Sequence, residues 1–347
     1  MRSLILKLLI IVVPVSLLIM GINYKVDPAN IFTDKQYIAG IADILTKGHN
    51  VDNLSNYDQR LLQEQMIKRL QRAPDVVVLG SSRVMEIGSS FFPGKVVLNC
   101  GVSNAEINDL YGIVGALDSM DRMPHEMVIG IDHLMLCRGK TSSWQSLYPY
   151  HQYLMRKIPG IDSSQFESES AITSRKASSL FSLEYFQASL QFLLKKKSKK
   201  YLDVGMNKPV MQGRLSDGCV CYTDKYTHPD SLKIAVDSRL TGSKTGISRP
   251  DAARFKLLEE LLDFLREKKV KVHLIMIPYH PEYYHACLKD HSQIMKEWAP
   301  LFREVAAKYE VPLSGNFDAD SLGMPVTAFY DMYHCSGESI KHFILNQ

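Results

Sequence analysis

The sequence predicts an α/β fold with a doubly wound, mostly parallel sheet. Short runs rich in β-branched residues and bounded by Pro or Gly, such as residues 75–80, are typical of strands buried on both faces. Helical stretches with an apolar face alternate with these runs, which indicates βαβ units. Active sites in such sheets lie at the carboxyl ends of the strands, so residues that directly follow a predicted strand are candidates for function.

The apolar pattern defines the elements in chain order. A helix is predicted over residues 58–72, where Pro74 follows and ends it. Four strands are predicted over residues 75–80, 95–100, 126–132 and 270–277. Helices are predicted over residues 105–120 and 252–268, directly before the third and fourth strands. The second of these helices carries leucines at the spacing of a face that packs on a sheet, namely Leu258, Leu261, Leu262 and Leu265.

An apolar segment near the N-terminus predicts a membrane-spanning helix over residues 1–25. Counted from Leu4, the run reaches the roughly 20 residues that a span needs. No small-residue cleavage site precedes Asp27, which favours an uncleaved signal anchor, although a cleaved signal peptide stays open. Because Arg2 and Lys7 lie at the N-terminal end of this run and only Lys25 follows it closely, we expect a cytoplasmic N-terminus and a single-pass protein of the inner (cytoplasmic) membrane. Residues 26–347 would then be extracytoplasmic, in the periplasm or on the outer face.

Residues 26–347 are predicted to form one large α/β domain with an insertion at about residues 139–250, where strands and helices cease to alternate. The insertion is expected to lie over or beside the active face. It contains a lysine-rich run over residues 195–200 that suits either an anionic lipid or glycan, or the solvated end of a helix, and the second interpretation is favoured.

The composition argues against several classes of function. A formal net charge of +4 on 347 residues is too small to indicate nucleic-acid binding. The six cysteines contain no CxxC pair, so buried thiols are favoured, while one or two disulfides stay open. Neither a zinc-ligand spacing nor a phosphate-binding glycine loop occurs, so the sequence predicts no metal and no cofactor.

Two short segments carry the parts of an acyl-transfer site. Residues 80–83 (Gly-Ser-Ser-Arg) follow the first predicted strand, and residues 331–334 (Asp-Met-Tyr-His) lie near the C-terminus. Ser82 at a sharp turn, His334 as a base and Asp331 as its orienting carboxylate would form a nucleophilic triad. Taken alone, Ser81 and Ser82 would be interpreted as ordinary helix N-caps. A helix that starts there would favour an anion at its positive end.

These motifs resemble those of the SGNH (GDSL-type) hydrolase superfamily. Residues 80–83 resemble its Gly-Asp-Ser block, residues 99–101 (Asn-Cys-Gly) its second block, and residues 331–334 its Asp-x-x-His block. The resemblance covers residues 74–135 and 270–345 and implies a flavodoxin-like sheet. It also implies functional roles, which are Ser82 as nucleophile, the amides of Ser82 and Gly101 as oxyanion donors, His334 as base and Asp331 as its orienter.

The remaining candidates are less well specified by the sequence. The third block of the superfamily, Gly-x-Asn-Asp, has its nearest counterpart in residues 130–133, which places Asp132 where an oxyanion-binding asparagine is expected. An ionised carboxylate only accepts hydrogen bonds, so Asn104 is a substitute donor. His280 either lines the active face or is a satisfied loop histidine. Arg83 either holds a substrate anion or forms a structural ion pair.

The resemblance also implies a biological role. Anchored extracytoplasmic proteins of this layout resemble those that modify the cell envelope beside a membrane-bound O-acyltransferase. We therefore expect an esterase or O-acyltransferase that moves an acyl group, most simply acetyl, on an envelope glycan or an acylated small molecule. A catalytically silent scaffold for such an acyltransferase and a lipid-active esterase stay open, as does the choice between hydrolysis and transfer.

Overall fold

The computed structural model describes residues 2–27, 32, 35–54, 57–137, 143–158, 174, 177–194, 201–206, 208–222, 251–290 and 292–345. The strands in these ranges are β1 (Asn50–Asp52), β2 (Val76–Leu79), β3 (Val97–Asn99), β4 (Glu126–Gly130), β5 (Leu202–Gly205), β6 (Gly213–Arg214), β7 (Val220–Cys221), β8 (Lys271–Met276) and β9 (Leu313–Gly315). The α-helices are α1 (Arg2–Val26), α2 (Lys35–Thr46), α3 (Gln59–Arg69), α4 (Ile107–Ser119), α5 (His133–Cys137), α6 (Tyr148–Lys157), α7 (Leu183–Leu194), α8 (Ala252–Glu267), α9 (Pro281–Asp290), α10 (Ser292–Lys308) and α11 (Gly337–Leu345).

A parallel sheet of five strands forms the centre of the molecule. Its strand order is β3-β2-β4-β8-β9, and each neighbouring pair is parallel. The strand of this sheet that comes first along the chain, β2, has a neighbour on each side. Its Val77 lies opposite Leu98 of β3 and Met127 of β4. The chain therefore leaves β2 to one side and returns on the other, an order compatible with a doubly wound, flavodoxin-like fold. The predicted α/β class with a mostly parallel sheet is confirmed.

Each strand and helix predicted from the apolar pattern is present with slightly shorter bounds. The four residues of β2 are completely buried, as expected of a strand covered on both faces. The predicted apolar face of α8 is buried through Leu258, Leu261, Leu262 and Leu265. Burial of one such side chain stabilises the fold by about 1.5–3 kcal/mol, so the sheet and its flanking helices hold the core together.

The described parts of the predicted insertion at residues 139–250 pack against three different parts of the molecule. Its first described part, α6, packs on α4 so closely that a Cβ at Gly115 would lie 2.1 Å from the carbonyl oxygen of Tyr150. Its strands β5, β6 and β7 join β1 in an antiparallel sheet of order β5-β1-β6-β7. Its helix α7 lies against α1. The described parts of the segment therefore pack on α4, in the antiparallel sheet and on α1. The lysine run at residues 195–200 lies outside the described residues.

The N-terminal segment forms α1. Its buried Asn23 side chain donates hydrogen bonds to the carbonyl oxygens of Leu180 (2.8 Å) and Ser182 (3.1 Å), which ties α1 to the start of α7. Within the described ranges, no helix reaches the length and apolar character that crossing a membrane requires. The predicted transmembrane helix is therefore not found there, and membrane attachment stays a prediction.

Candidate active site

The turn after β2 presents Ser82 at the carboxyl edge of the sheet. Gly80 adopts φ +145°, and a Cβ at this position would lie 2.9 Å from the carbonyl oxygen of Gly130. Only glycine avoids both problems, so the chain can turn sharply at the strand end. The segment that follows, Ser82–Val84, is a single 3₁₀ turn. A 3₁₀ turn thus takes the place of the helix considered for this position, and a single turn supplies no helix dipole of useful length to Ser82.

The Asp331-to-His334 segment forms a second tight turn. The Asp331 Oδ1 atom accepts the backbone N–H groups of Tyr333 (2.7 Å) and His334 (2.9 Å). An isolated antiparallel bridge between Phe329 and Cys335 closes the loop around these residues. Aspartate favours this local geometry because its short side chain reaches its own backbone two and three residues ahead. The same side chain that shapes the turn is thereby placed beside the His334 ring.

Ser82, His334 and Asp331 form a continuous hydrogen-bonded array. The Ser82 Oγ atom lies 2.7 Å from His334 Nε2, and His334 Nδ1 lies 2.9 Å from Asp331 Oδ2. Both distances lie within the hydrogen-bond reach that general-base catalysis requires. Because Nδ1 faces a carboxylate, Nδ1 carries the ring proton and Nε2 is left to accept the Ser82 hydroxyl. The structure thus brings together the three residues singled out from two distant segments.

Gly101 does not offer its amide to the site. Its backbone N–H donates to the Oδ1 atom of Asn99 at 2.8 Å, in buried surroundings. The oxyanion role that the resemblance implies for Gly101 is therefore corrected, since that donor already has a partner. Among the described residues, the backbone N–H groups of Ser82 and Asn104 have no acceptor within the protein. Asn104 is exposed with φ +55°, so both amides are available to a ligand.

Asn99 organises the loops around the nucleophile. Its fully buried side-chain amide donates to the carbonyl oxygens of Val84 (2.7 Å) and Ile87 (2.9 Å), while its oxygen accepts the Gly101 N–H group. One side chain therefore fixes the segment after Ser82 and the loop after β3 together. Sequence reasoning identified Asn99 only as part of a motif, because its three partners lie in segments that come together through the fold.

Asp132 is a structural partner of the nucleophile turn. It is 3% exposed, and its Oδ2 atom accepts the Ser81 hydroxyl at 2.9 Å. Its Oδ1 atom accepts the backbone N–H of Met135 at 2.9 Å, in the first turn of α5. Both carboxylate oxygens are thus engaged by the protein, which speaks against the substrate-binding role considered for Asp132. The same contact separates the two serines, because Ser81 faces Asp132 while Ser82 faces His334.

Arg83 lies beneath the turn instead of facing the solvent. It is 6% exposed, and its Nη2 atom donates to the carbonyl oxygen of Ile277. Its guanidinium carbon lies 3.8 Å from the centre of the Tyr279 ring, which is a cation–π contact. No ion pair involves Arg83 within the described part of the chain. Both roles predicted for it, a structural ion pair and an anion ligand, are therefore replaced by stacking on an aromatic core.

His280 packs behind the catalytic turn. It is 2% exposed, its ring lies 5.5 Å from that of Phe329, and its Nδ1 atom accepts the Glu282 backbone N–H at 3.3 Å. Burial lowers the pKa of the His280 imidazole, which favours its neutral form. These contacts agree with the satisfied loop histidine that the sequence also allowed, and they hold His280 away from the active face.

Two residues near the site gave no signal in the sequence. Glu86 accepts the backbone N–H of Gly337 and the Tyr330 hydroxyl (3.3 Å), and burial raises the pKa of its carboxyl group. Tyr222, directly after β7, places its ring centre 6.3 Å from that of His334 and 5.9 Å from that of Tyr330. Both residues act through tertiary contacts, so neither belongs to a motif that a sequence alone would display.

Metal ligands and cysteines do not contribute to this site. In the described ranges, the group of side chains that could together hold a cation is His285, Asp318 and Asp320, at the protein surface. The His285 Nε2 atom lies 3.1 Å from Asp320 Oδ2, and an ordinary ion pair explains that contact. The described cysteines are free thiols, and burial raises the pKa of Cys100 and of Cys335 to about 12. Such thiols are protonated and unreactive at neutral pH.

Comparison with known proteins gives no further assignment. No family model matches the chain, and neither does any curated protein or any solved structure. The resemblance to SGNH hydrolases thus stays an expectation from short motifs. The arrangement of Ser82, His334 and Asp331 is the physical ground on which a function can be proposed.

Proposed function

We propose that the protein is a membrane-anchored serine esterase or O-acyltransferase of the SGNH type. It moves an acyl group, most simply acetyl, to or from a hydroxyl of an extracytoplasmic glycan. The observation that carries the proposal is the array in which Ser82 Oγ lies 2.7 Å from His334 Nε2 and His334 Nδ1 lies 2.9 Å from Asp331 Oδ2. This is the relation between nucleophile, base and orienting carboxylate that serine acyl transfer requires.

The array supports a two-step reaction. The Ser82 oxygen attacks the carbonyl carbon of an acyl ester while His334 Nε2 takes the hydroxyl proton. The bond from that carbon to the leaving oxygen then breaks, the proton passes from Nε2 to the leaving alcohol, and an acyl-serine remains. In the second step Nε2 takes a proton from water or an acceptor hydroxyl, whose oxygen attacks the acyl carbon, and Ser82 leaves with that proton.

The negative charge of each tetrahedral intermediate needs donors that are free beforehand. The amides of Ser82 and Asn104 meet this condition, and the backbone N–H of Val102, which donates to the Gly80 carbonyl oxygen at 3.1 Å, ties their two loops together. One oxyanion donor typically contributes about 2.7–4 kcal/mol to transition-state stabilisation. We therefore assign the oxyanion to the free amides of Ser82 and Asn104, since Gly101 and Asp132 are engaged elsewhere.

The proposal includes a place and a partner. In this proposal the signal anchor predicted over residues 1–25 holds the chain in the inner membrane, so that the site lies on the extracytoplasmic side beside the envelope glycan. A membrane-bound O-acyltransferase is the partner that would supply an acyl group across the bilayer. The reaction needs no metal or cofactor, because Ser82, His334 and Asp331 supply the nucleophile and the proton transfer.

Turnover of p-nitrophenyl acetate tests this proposal with two neighbouring serines. We expect Ser82→Ala to abolish turnover with an unchanged melting temperature, because it removes one half-buried hydroxyl from a turn. We expect the matched control Ser81→Ala to keep turnover within about tenfold but to lose about 1–3 kcal/mol of stability, because Asp132 loses a buried partner. Equal loss of turnover in both variants, or full turnover in Ser82→Ala, would overturn the proposal.

A further inference from the structure

The hairpin formed by β6 and β7 is fixed to the nucleophile segment. The backbone N–H of Val220 in β7 donates to the Met85 carbonyl oxygen (2.9 Å), three residues after Ser82. The Asp217 carbonyl oxygen, in the hairpin turn, accepts the backbone N–H of Asn99 (2.7 Å), and its Oδ2 atom accepts that of Ser89 (2.8 Å). A part of the predicted insertion is therefore held in one position relative to the catalytic edge of the sheet.

The residue that directly follows this hairpin borders the catalytic histidine. The half-buried Tyr222 ring is tilted by 49° against the His334 imidazole, with 6.3 Å between ring centres. A second ring beside Tyr222 is that of Tyr330, which meets it edge to face at 5.9 Å and whose hydroxyl donates to Glu86. Two half-buried aromatic rings thus stand together at the imidazole, and the Glu86 contact fixes the orientation of one of them.

The chemistry of acyl transfer assigns a role to that position. The leaving alcohol and the acceptor hydroxyl each exchange a proton with His334 Nε2, so each must bind next to the imidazole ring. The acyl oxygen instead turns toward the free amides of Ser82 and Asn104. An aromatic ring beside the imidazole is therefore near the place where the alcohol must approach. The apolar C–H face of a pyranose ring packs on an aromatic side chain, while its hydroxyls stay free to react.

We infer that Tyr222 and Tyr330 form an acceptor subsite that takes the pyranose ring of a sugar. The inference rests on the proposed function and deepens it, because it assigns the alcohol side of the reaction to residues from the hairpin and from the catalytic turn. Tyr222 determines acceptor specificity here: its ring favours a cyclic acceptor over a linear polyol or water.

The test measures acetyl transfer by the full-length protein with p-nitrophenyl acetate as donor. Methyl β-D-glucopyranoside and glycerol are offered as cyclic and linear acceptors, and acetylated products are quantified by mass spectrometry. The variants are Tyr222→Phe, which keeps the ring, Tyr222→Leu, which removes it, and Tyr309→Leu, a matched control at the opposite edge of the sheet. The rate at which a fluorophosphonate labels Ser82 is recorded for each protein as a readout that needs no acceptor.

We expect Tyr222→Leu to lower the ratio of glucoside to glycerol product by about tenfold, while Tyr222→Phe and Tyr309→Leu keep it within about twofold. The labelling rate should stay within about twofold in each variant. An unchanged product ratio in Tyr222→Leu would overturn the subsite, and so would a fall in labelling as large as the fall in transfer, because Tyr222 would then position His334. Absence of labelling in the wild-type protein would overturn the proposed function and the subsite with it.

Discussion

Replacement of Asp331 by asparagine separates the chemical role of this side chain from its structural role. The Oδ1 atom accepts two backbone N–H groups, from Tyr333 and His334, and also lies 3.0 Å from His334 Nδ1, whereas Oδ2 lies 2.9 Å from Nδ1. In Asp331→Asn the amide oxygen keeps the two backbone bonds, so the NH₂ group takes the place of Oδ2. A donor then replaces the acceptor 2.9 Å from Nδ1, and the oxygen at 3.0 Å is already bound by two backbone N–H groups, which favours the tautomer whose proton sits on Nε2.

The expected loss of acylation rate in Asp331→Asn follows from the contact between His334 and Ser82. A protonated Nε2, 2.7 Å from Ser82 Oγ, has no lone pair with which to accept the hydroxyl proton. The equivalent change in serine-protease triads lowers kcat by about 10⁴-fold, which corresponds to a barrier increase of about 5.5 kcal/mol. We expect a loss of this order in Ser82 acylation by p-nitrophenyl acetate, with stability changed by less than about 1 kcal/mol because the turn keeps its backbone bonds.

Pre-steady-state release of p-nitrophenol and thermal unfolding measure the two effects. Asp331→Ala serves as the comparison, since it removes every acceptor and should lose about 1–2 kcal/mol of stability as well as activity. Asp320→Asn, at an exposed loop position, is the control for a neutral substitution. Acylation by Asp331→Asn within about tenfold of the wild-type rate would refute the reasoning, because Asp331 would then not set the tautomer of His334.

Three further predictions concern the frame around the site. Asn99→Ala should lower the unfolding free energy by about 2–6 kcal/mol in chemical denaturation, because it leaves the Ile87 carbonyl oxygen and the Gly101 N–H group without partners. An effect under about 1 kcal/mol would contradict that network. Gly80→Ala should reduce soluble yield and melting temperature, since φ +145° and the nearby Gly130 carbonyl exclude a Cβ; an unchanged melting temperature would refute this. Burial lowers the pKa of His151, in α6, to about 3. The unfolded chain takes up this proton at about pH 6.5, so the folded protein loses stability as the pH falls from about 6.5 toward 3. His151→Phe should therefore flatten the fall in melting temperature over that window, and a parallel fall in both proteins would exclude His151 as its source.

The central sheet was predictable because its signals are local. Four of its strands are short apolar runs bounded by Pro or Gly, and the helix face of α8 repeats with helical spacing. The fifth strand, β9, has three residues at the sheet edge and no such run. The second sheet was not predicted because its strands are too short to show an apolar pattern. β6 and β7 have two residues each, and β6 is held by pairing with the distant β1.

The candidate site was predictable only where chemistry follows from residue type. Ser82, His334 and Asp331 stood out because a nucleophile, a base and a carboxylate occurred at strand ends and at a fixed spacing. Which amides can bind an oxyanion depends on which ones the fold leaves without an acceptor. Because Asn99 accepts the Gly101 N–H group, the prediction that Gly101 is an oxyanion donor is wrong. The engagement of Asp132 by Ser81 is equally a product of the fold, because the two residues belong to different loops.

Labelling of Ser82 by a serine-directed fluorophosphonate tests the proposed chemistry most directly. The full-length protein is treated with the probe, digested, and the labelled peptide is sequenced by mass spectrometry, with Ser82→Ala and His334→Ala as controls. We expect the label on Ser82 and not on Ser81, and its loss in both variants, because the Ser82 hydroxyl is activated through His334 Nε2. A folded protein that carries no label, or a label on Ser82 that persists in His334→Ala, would contradict an activated nucleophile at this site.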